Sequence, residues 1–297
     1  MAAKQNSGNN KLAMTILKDR TFIVLIILLI FFSITADNFM SAGALLTVAK
    51  HVALYGILAI GMTYVIITGG IDLSVGSVAG LAGMIAGGLI QEGLTLKMFG
   101  VTLYFSVPMI VLITVLLGAL MGMINGLVIT KFNVAPFIAT LGTMYIWRGF
   151  ANIRSNGATF SELAGSEGLG NTGFEVFGRN LAGTAIPCGV LILALIAVAA
   201  GLVLKKTPFG WHVLSVGGNE KASKLSGIKV DRVKIWVYAF SGFCSAVVGI
   251  IATSQLVSAT PKTGESWEMN AIAASYLAEL PWQAVSARLA EPSSVRL

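Results

Sequence analysis

An all-α bundle of membrane-spanning helices is the fold class this sequence predicts, and three observations predict it. Of its 297 residues, 56% are hydrophobic and only 11% charged, where a soluble domain carries about 25% charge. The mean hydropathy is +0.83. Apolar runs recur along the chain at close to the 20 residues that a helix rising 1.5 Å per residue needs to cross a bilayer. The excess apolar surface therefore faces lipid. The 34 glycines follow no G-x-y period, and they suit close helix contacts in a bilayer.

Seven spans follow in order. Residues 1–20 are polar and read as a cytoplasmic N-terminal segment. Thr21–Ala36 is the first run, preceded by Lys4, Lys11, Lys18 and Arg20. Its long polar lead and the poor small-x-small site at Ile34 and Ala36 favour an uncleaved span over a signal peptide. The others are Ala44–Thr68, Val75–Ile90, Ser106–Thr130, Pro136–Ala151, Ile186–Leu204 and Lys234–Leu256. With the N-terminus inside, alternation puts Lys131, Lys205, Lys206, Lys221, Lys224, Lys229, Arg232 and Lys234 inside beside the N-terminal cations. Only Lys97, Arg154, Arg179 and Lys262 fall outside, which agrees with the enrichment of cations on the cytoplasmic face. The net charge of +7 is thus read as membrane anchoring. No nucleic-acid motif accompanies it, so no nucleic-acid partner is expected.

Two soluble excursions stand out. Asn152–Thr184 lies outside and is rich in Gly, Ser and Asn. Lys205–Val233 lies inside, and its stretch Asn219–Ser226 has helix-forming composition between Gly217-Gly218 and Gly227. A short helix with glycine stops on the inner face is expected to dock a partner, with Asn219 capping its first turn.

The link Gly69-Gly70-Ile71-Asp72-Leu73-Ser74-Val75-Gly76 joins two apolar runs. Asp72 and Ser74 can cap the helix that follows, giving a tight turn. The same residues can instead form a broken helix lining a transport path, where irregular backbone is tolerated if protein or water covers it. Among ionisable residues, Lys50 and Arg148 lie near span ends and read as snorkelling side chains. His51 reads as a hydrogen-bonded core residue or a proton relay, and Asn125 and Asn133 as cross-helix hydrogen bonders. Cys188 and Cys244 lie in apolar stretches and read as core or lipid-facing thiols. The chain has no P-loop, no H-E-x-x-H pair and no G-x-S-x-G elbow. It is therefore expected to be no enzyme and to bind no cofactor or metal.

Three segments, Gly61–Gly83, Asn125–Gly149 and Thr207–Ile228, together resemble the integral-membrane permeases of bacterial sugar ABC importers, the ribose, xylose, arabinose and galactoside group. The resemblance runs from about Thr21 to Ala274. It implies a dimeric permease of about ten spans, in the inner membrane. The expected partners are a second permease protomer, membrane lipid, a periplasmic or extracellular sugar-binding protein, and a cytoplasmic ATPase that holds ATP and Mg. It also places Gly217, Gly218, Asn219, Glu220, Ala222, Leu225 and Gly227 on the coupling segment that enters a cleft of the ATPase. A permease for branched-chain amino acids or nucleosides is the neighbouring alternative, and a stand-alone secondary transporter the more distant one. A membrane enzyme or scaffold is disfavoured by the lack of polar catalytic clusters.

After Ala274 the chain departs from that family, which continues with glycine-rich turns and further spans. Residues 275–297 repeat Leu-Ala-Glu at Leu277 and Leu289. Written TTG-GCG-GAA and read from the last base of the leucine codon, each copy becomes Gly-Gly, and the single codon of Trp282 fits the same shift. The tail is therefore expected to be out-of-frame translation beginning near Ser275, leaving the permease domain, 21–274, short of about three spans.

Overall fold

The computed structural model describes residues 20–96 and 98–277, and the chain divides into two units, Met1–Val48 and Ala49–Leu297. The first holds α1 (Arg20–Thr35) and the opening turns of α2 (Ala42–Ile67). The sequence of α1 is apolar around its whole circumference, and residues such as Val24, Ile30 and Ile34 are exposed. Two hydroxyls near its end bond back to the helix: Ser33 donates to the Leu29 carbonyl (2.7 Å) and Thr35 to that of Phe31 (2.8 Å). That is how a hydroxyl is satisfied where lipid offers no partner.

The second unit contains the rest of α2, then α3 (Val75–Gln91), a hairpin of β1 (Leu94–Leu96) and β2 (Val101–Leu103), α4 (Val107–Lys131) and α5 (Pro136–Ser155). Next come two short 3-10 turns, then α6 (Cys188–Lys206), α7 (Pro208–Gly218), α8 (Glu220–Leu225) and α9 (Val230–Leu256), followed by a helical stretch over 267–277. Among the described residues, four helices, α2, α4, α6 and α9, are long and apolar enough to cross a membrane. The chain is a multi-pass membrane protein. Of the other three expected spans, α1 and α3 are apolar but shorter, and α5 is long enough but less apolar.

The centre of the second unit is α3, in which every residue except Ile85 and Gln91 is buried. Glycines make that burial possible. A Cβ on Gly242 of α9 would collide with the backbone of Gly118 and Gly122 on α4, and one on Gly249 with the Ala79 carbonyl on α3. Such small-residue contacts bring helix axes together where no hydrophobic effect drives association. Outward, Leu112, Leu116 and Leu120 of α4 and Leu195, Val198 and Leu202 of α6 are exposed, forming the stripes that meet hydrocarbon.

The excursion 152–184 packs onto one end of this bundle. Phe174 and Leu163 are fully buried, Asn171 donates to the Ile90 carbonyl (2.8 Å), and Ser254 donates to that of Phe174 (2.7 Å). The excursion 205–233 contains a helix that composition alone did not suggest, α7. Thr207 caps it by accepting from the Gly210 N–H (3.2 Å), with Pro208 at its first position. The greater part of the tail, 278–297, lies outside the described residues, and with it most of the segment read as out-of-frame.

Candidate functional site

The link between α2 and α3 is built from its glycines outward. Gly69 has φ +78°, and the N–H groups of Gly69 and Gly70 bond to the carbonyls of Ile66 (2.9 Å) and Val65 (3.0 Å). This paired closure ends a helix with a left-handed residue, a role that favours glycine. Gly70 is required for a different reason, since a Cβ there would collide with the hydroxyl of Tyr238.

Beyond it, Asp72 is buried, at 1% exposure. One carboxylate oxygen accepts from the Ser74 N–H (3.0 Å) and hydroxyl (2.7 Å), and the other from the Ser241 hydroxyl on α9 (2.8 Å). The Ser74 hydroxyl in turn accepts from the Asn125 amide on α4 (2.7 Å). The Thr140 hydroxyl on α5 shares its proton between the Pro136 carbonyl of its own helix (2.9 Å) and the Ile71 carbonyl (3.2 Å). Three helices thus hold the non-helical chain of residues 68–74. Neither residue caps α3: Asp72 takes up the N–H of Ser74, which precedes the helix, and the Ser74 hydroxyl is engaged by Asp72 and Asn125.

A second irregular segment, 257–266, runs along α3. A Cβ on Gly87 would press on Ala259, one on Gly80 on the Thr263 carbonyl, and one on Gly76 on the Gly264 carbonyl and on Glu268. Gly76, Gly80, Gly83 and Gly87 therefore form a groove in α3, at the 4-3-4 spacing of one helix face, and three of them receive this irregular chain. Arg148 fastens this segment by donating from Nη1 to the carbonyls of Pro261 (2.5 Å) and Thr263 (2.6 Å). Arg148 does not snorkel. It reaches inward because two carbonyls outside regular structure need a donor there.

Two other expectations change. His51 is exposed, with its ring 6.1 Å from that of Tyr55 in a stacked arrangement, and is no core residue. Asn133 is exposed with φ +52°, so it shapes the turn between α4 and α5 and bonds across no helix. Asn125 does bond across helices, and Cys244 is buried as a core thiol. Among the described residues, no cluster of His, Cys, Asp and Glu converges as metal ligands would.

The segment 217–228 is the second site. Gly217 and Gly218 end α7. Asn219 then accepts the Ala222 N–H (2.9 Å) and opens α8. At the other end, Gly227 at φ +87° and Ile228 close α8 by donating to Lys224 (3.1 Å) and Ser223 (3.1 Å). The body between them is exposed apart from Ser223, and Leu225 is 90% exposed. Glu220 pairs with Lys234 on α9 (2.8 Å). Gly217 lies against the end of α2, where a Cβ would collide with the Ile67 carbonyl, whereas nothing crowds Gly218. The base of the exposed helix therefore abuts the residue from which the Gly69–Ser74 link departs.

The family model described as branched-chain amino acid transport system / permease component matches residues 44–290, which passes Ser275 and runs into the tail. The ribose import permease protein of Bacillus subtilis is 42% identical over 262 residues, covering 86% of this chain and 74% of that protein. The ribose import permease protein of Haemophilus influenzae is 37% identical over 275 residues, covering 91% and 79%. The galactose/methyl galactoside import permease protein of Escherichia coli is 34% identical over 271 residues, covering 90% and 80%. No solved structure matches.

Proposed function

The chain belongs to the branched-chain amino acid transport system / permease component family, and on that premise we propose that it is the membrane-spanning subunit of an ATP-driven ABC importer for a monosaccharide of the ribose type. The observation that carries the solute class is its similarity, over about nine-tenths of its length, to ribose and galactoside import permeases. In this reading a separate cytoplasmic ATPase holds ATP and Mg, an extracytoplasmic sugar-binding protein delivers the solute, and a second permease protomer completes the path. The N-terminus is cytoplasmic.

The coupling segment is Gly217, Gly218, Asn219, Glu220, Ala222, Leu225 and Gly227. Its support is physical. Helix α8 is capped at both ends, projects an exposed leucine, and stands on α7, whose last turn touches Ile67. A rigid knob of this kind fits a groove in another protein. Movement of the knob would press on the end of α2 and hence on Gly69, Gly70, Asp72, Ser74 and Gly76. We place the translocation route beside that link and the 257–266 segment, since irregular backbone inside a bundle persists where it lines a path.

Reconstitution into proteoliposomes with the ATPase and binding protein tests the function. ATP-dependent uptake of labelled ribose is expected. Uptake driven by an ion gradient without ATP favours a secondary transporter, and uptake of leucine or a nucleoside in place of sugars moves the solute class. The out-of-frame reading of Tyr276–Leu297 is tested by sequencing the gene: the shifted frame must carry the glycine codons.

A further inference from the structure

Two adjoining hollows at the Lys206 end of α6 and the Val230 end of α9 differ in chemistry and share two residues. The first is a groove of about 650 Å³ between α6 and α9. One wall is Leu195, Ala199 and Val203, successive turns of α6, and the other is Trp236, Phe240 and Phe243 of α9. The eight helical steps from Leu195 to Val203 make the groove about 12 Å long. Its floor offers no free polar group, because the Tyr64 hydroxyl donates to the Ala200 carbonyl (2.6 Å). The second hollow, of about 490 Å³, contains His212, Ser226, Lys229 and Arg232. Phe209 and Trp236 border both.

We propose that this composite is a binding site for one anionic phospholipid, with an acyl chain along the α6–α9 groove and the phosphate at Lys229 and Arg232. Charge complementarity and continuity with the membrane select that occupant. Neither cation is ion-paired among the described residues, and the adjoining hollow that both also line sets Lys131 and Lys224 against one acid, Asp231. Trp236 is 59% exposed at the junction, the level at which indole rings sit between headgroups and tails. A packing helix would use the groove without the cations, and a soluble anion the cations without the groove. A phospholipid is one molecule that uses both, and basic pockets at helix ends are known sites for anionic headgroups.

The test is native mass spectrometry of the full chain purified in detergent, with phosphatidylglycerol or phosphatidylcholine added. Preferential retention of phosphatidylglycerol is expected. The double substitution Lys229→Gln, Arg232→Gln should weaken it about thirtyfold, the worth of two basic groups at an anionic surface, while Lys262→Gln leaves it unchanged. Should the double variant not fold, Ala199→Trp fills the groove, and it must lower retention of phosphatidylglycerol with both cations intact. Equal retention of the two lipids overturns the proposal, as does unchanged retention in Ala199→Trp. Disulfide-linked dimers of Ala199→Cys in native membranes would show the groove covered by a second copy and likewise overturn it.

Discussion

The Gly69–Ser74 link and the α8 segment are both short, glycine-flanked and closed by the same left-handed turn, at Gly69 and at Gly227, yet they differ in where their side chains go. Around the link, Asp72, Ser74, Asn125 and Ser241 are buried and bonded to one another. Around α8, Ala222, Lys224 and Leu225 face outward, and one ion pair ties the segment down. The fold consumes the first set of residues and leaves the second free. Substitutions at the link should therefore damage the folded protein, while those on α8 should spare the fold and damage transport.

The largest loss of stability is expected from Gly76→Leu, which would drive a side chain into the Gly264 backbone and Glu268. Overpacking against main chain should cost about 3 kcal/mol or more, seen as a lower melting temperature in detergent and less protein in the membrane. Next, Asp72→Ala strands the Ser241 hydroxyl and the Ser74 N–H in a closed interior and should cost about 3 kcal/mol. Asp72→Asn should cost less, since it keeps part of the network. A melting temperature unchanged by Asp72→Ala would break the comparison from the buried side.

On the exposed side, Gly227→Trp puts a bulky residue at φ +87° in open space. The conformational cost is about 1 kcal/mol, so membrane level should stay near normal while ATP hydrolysis uncouples from uptake. Wild-type uptake by this variant at normal abundance counts against the coupling role. The smallest effect on folding belongs to Lys234→Ala, which removes a partly exposed pair with Glu220 and should cost no more than about 1 kcal/mol.

The sequence disclosed features whose cause is local. Apolar run length located α2, α4, α6 and α9, and Asn219 followed by a helix-forming stretch marked the cap of α8. The start of α7 was legible too, in Thr207-Pro208, a capping residue followed by a first-turn proline. Its eleven residues are too few for a span, and Gly210, Gly217 and Gly218 weaken its helical pattern. Arg148 could not be read locally, since its acceptors at Pro261 and Thr263 lie more than a hundred residues away. The groove that receives 257–266 did leave a trace in the spacing of Gly76, Gly80, Gly83 and Gly87, although spacing alone names no partner. For Asp72, sequence showed a possible cap, and only the arrival of α4 and α9 made it a junction.

The most direct test of the coupling claim is a proximity measurement at Leu225. In a Cys188→Ser background, Leu225→Cys should crosslink to the ATPase subunit in inside-out membrane vesicles, with a yield that changes when ATP is added. Ser77→Cys, buried in α3, should give no crosslink. Labelling of Leu225→Cys by a membrane-impermeant reagent from outside intact cells, or no crosslink in an assembled and transporting complex, would contradict the account.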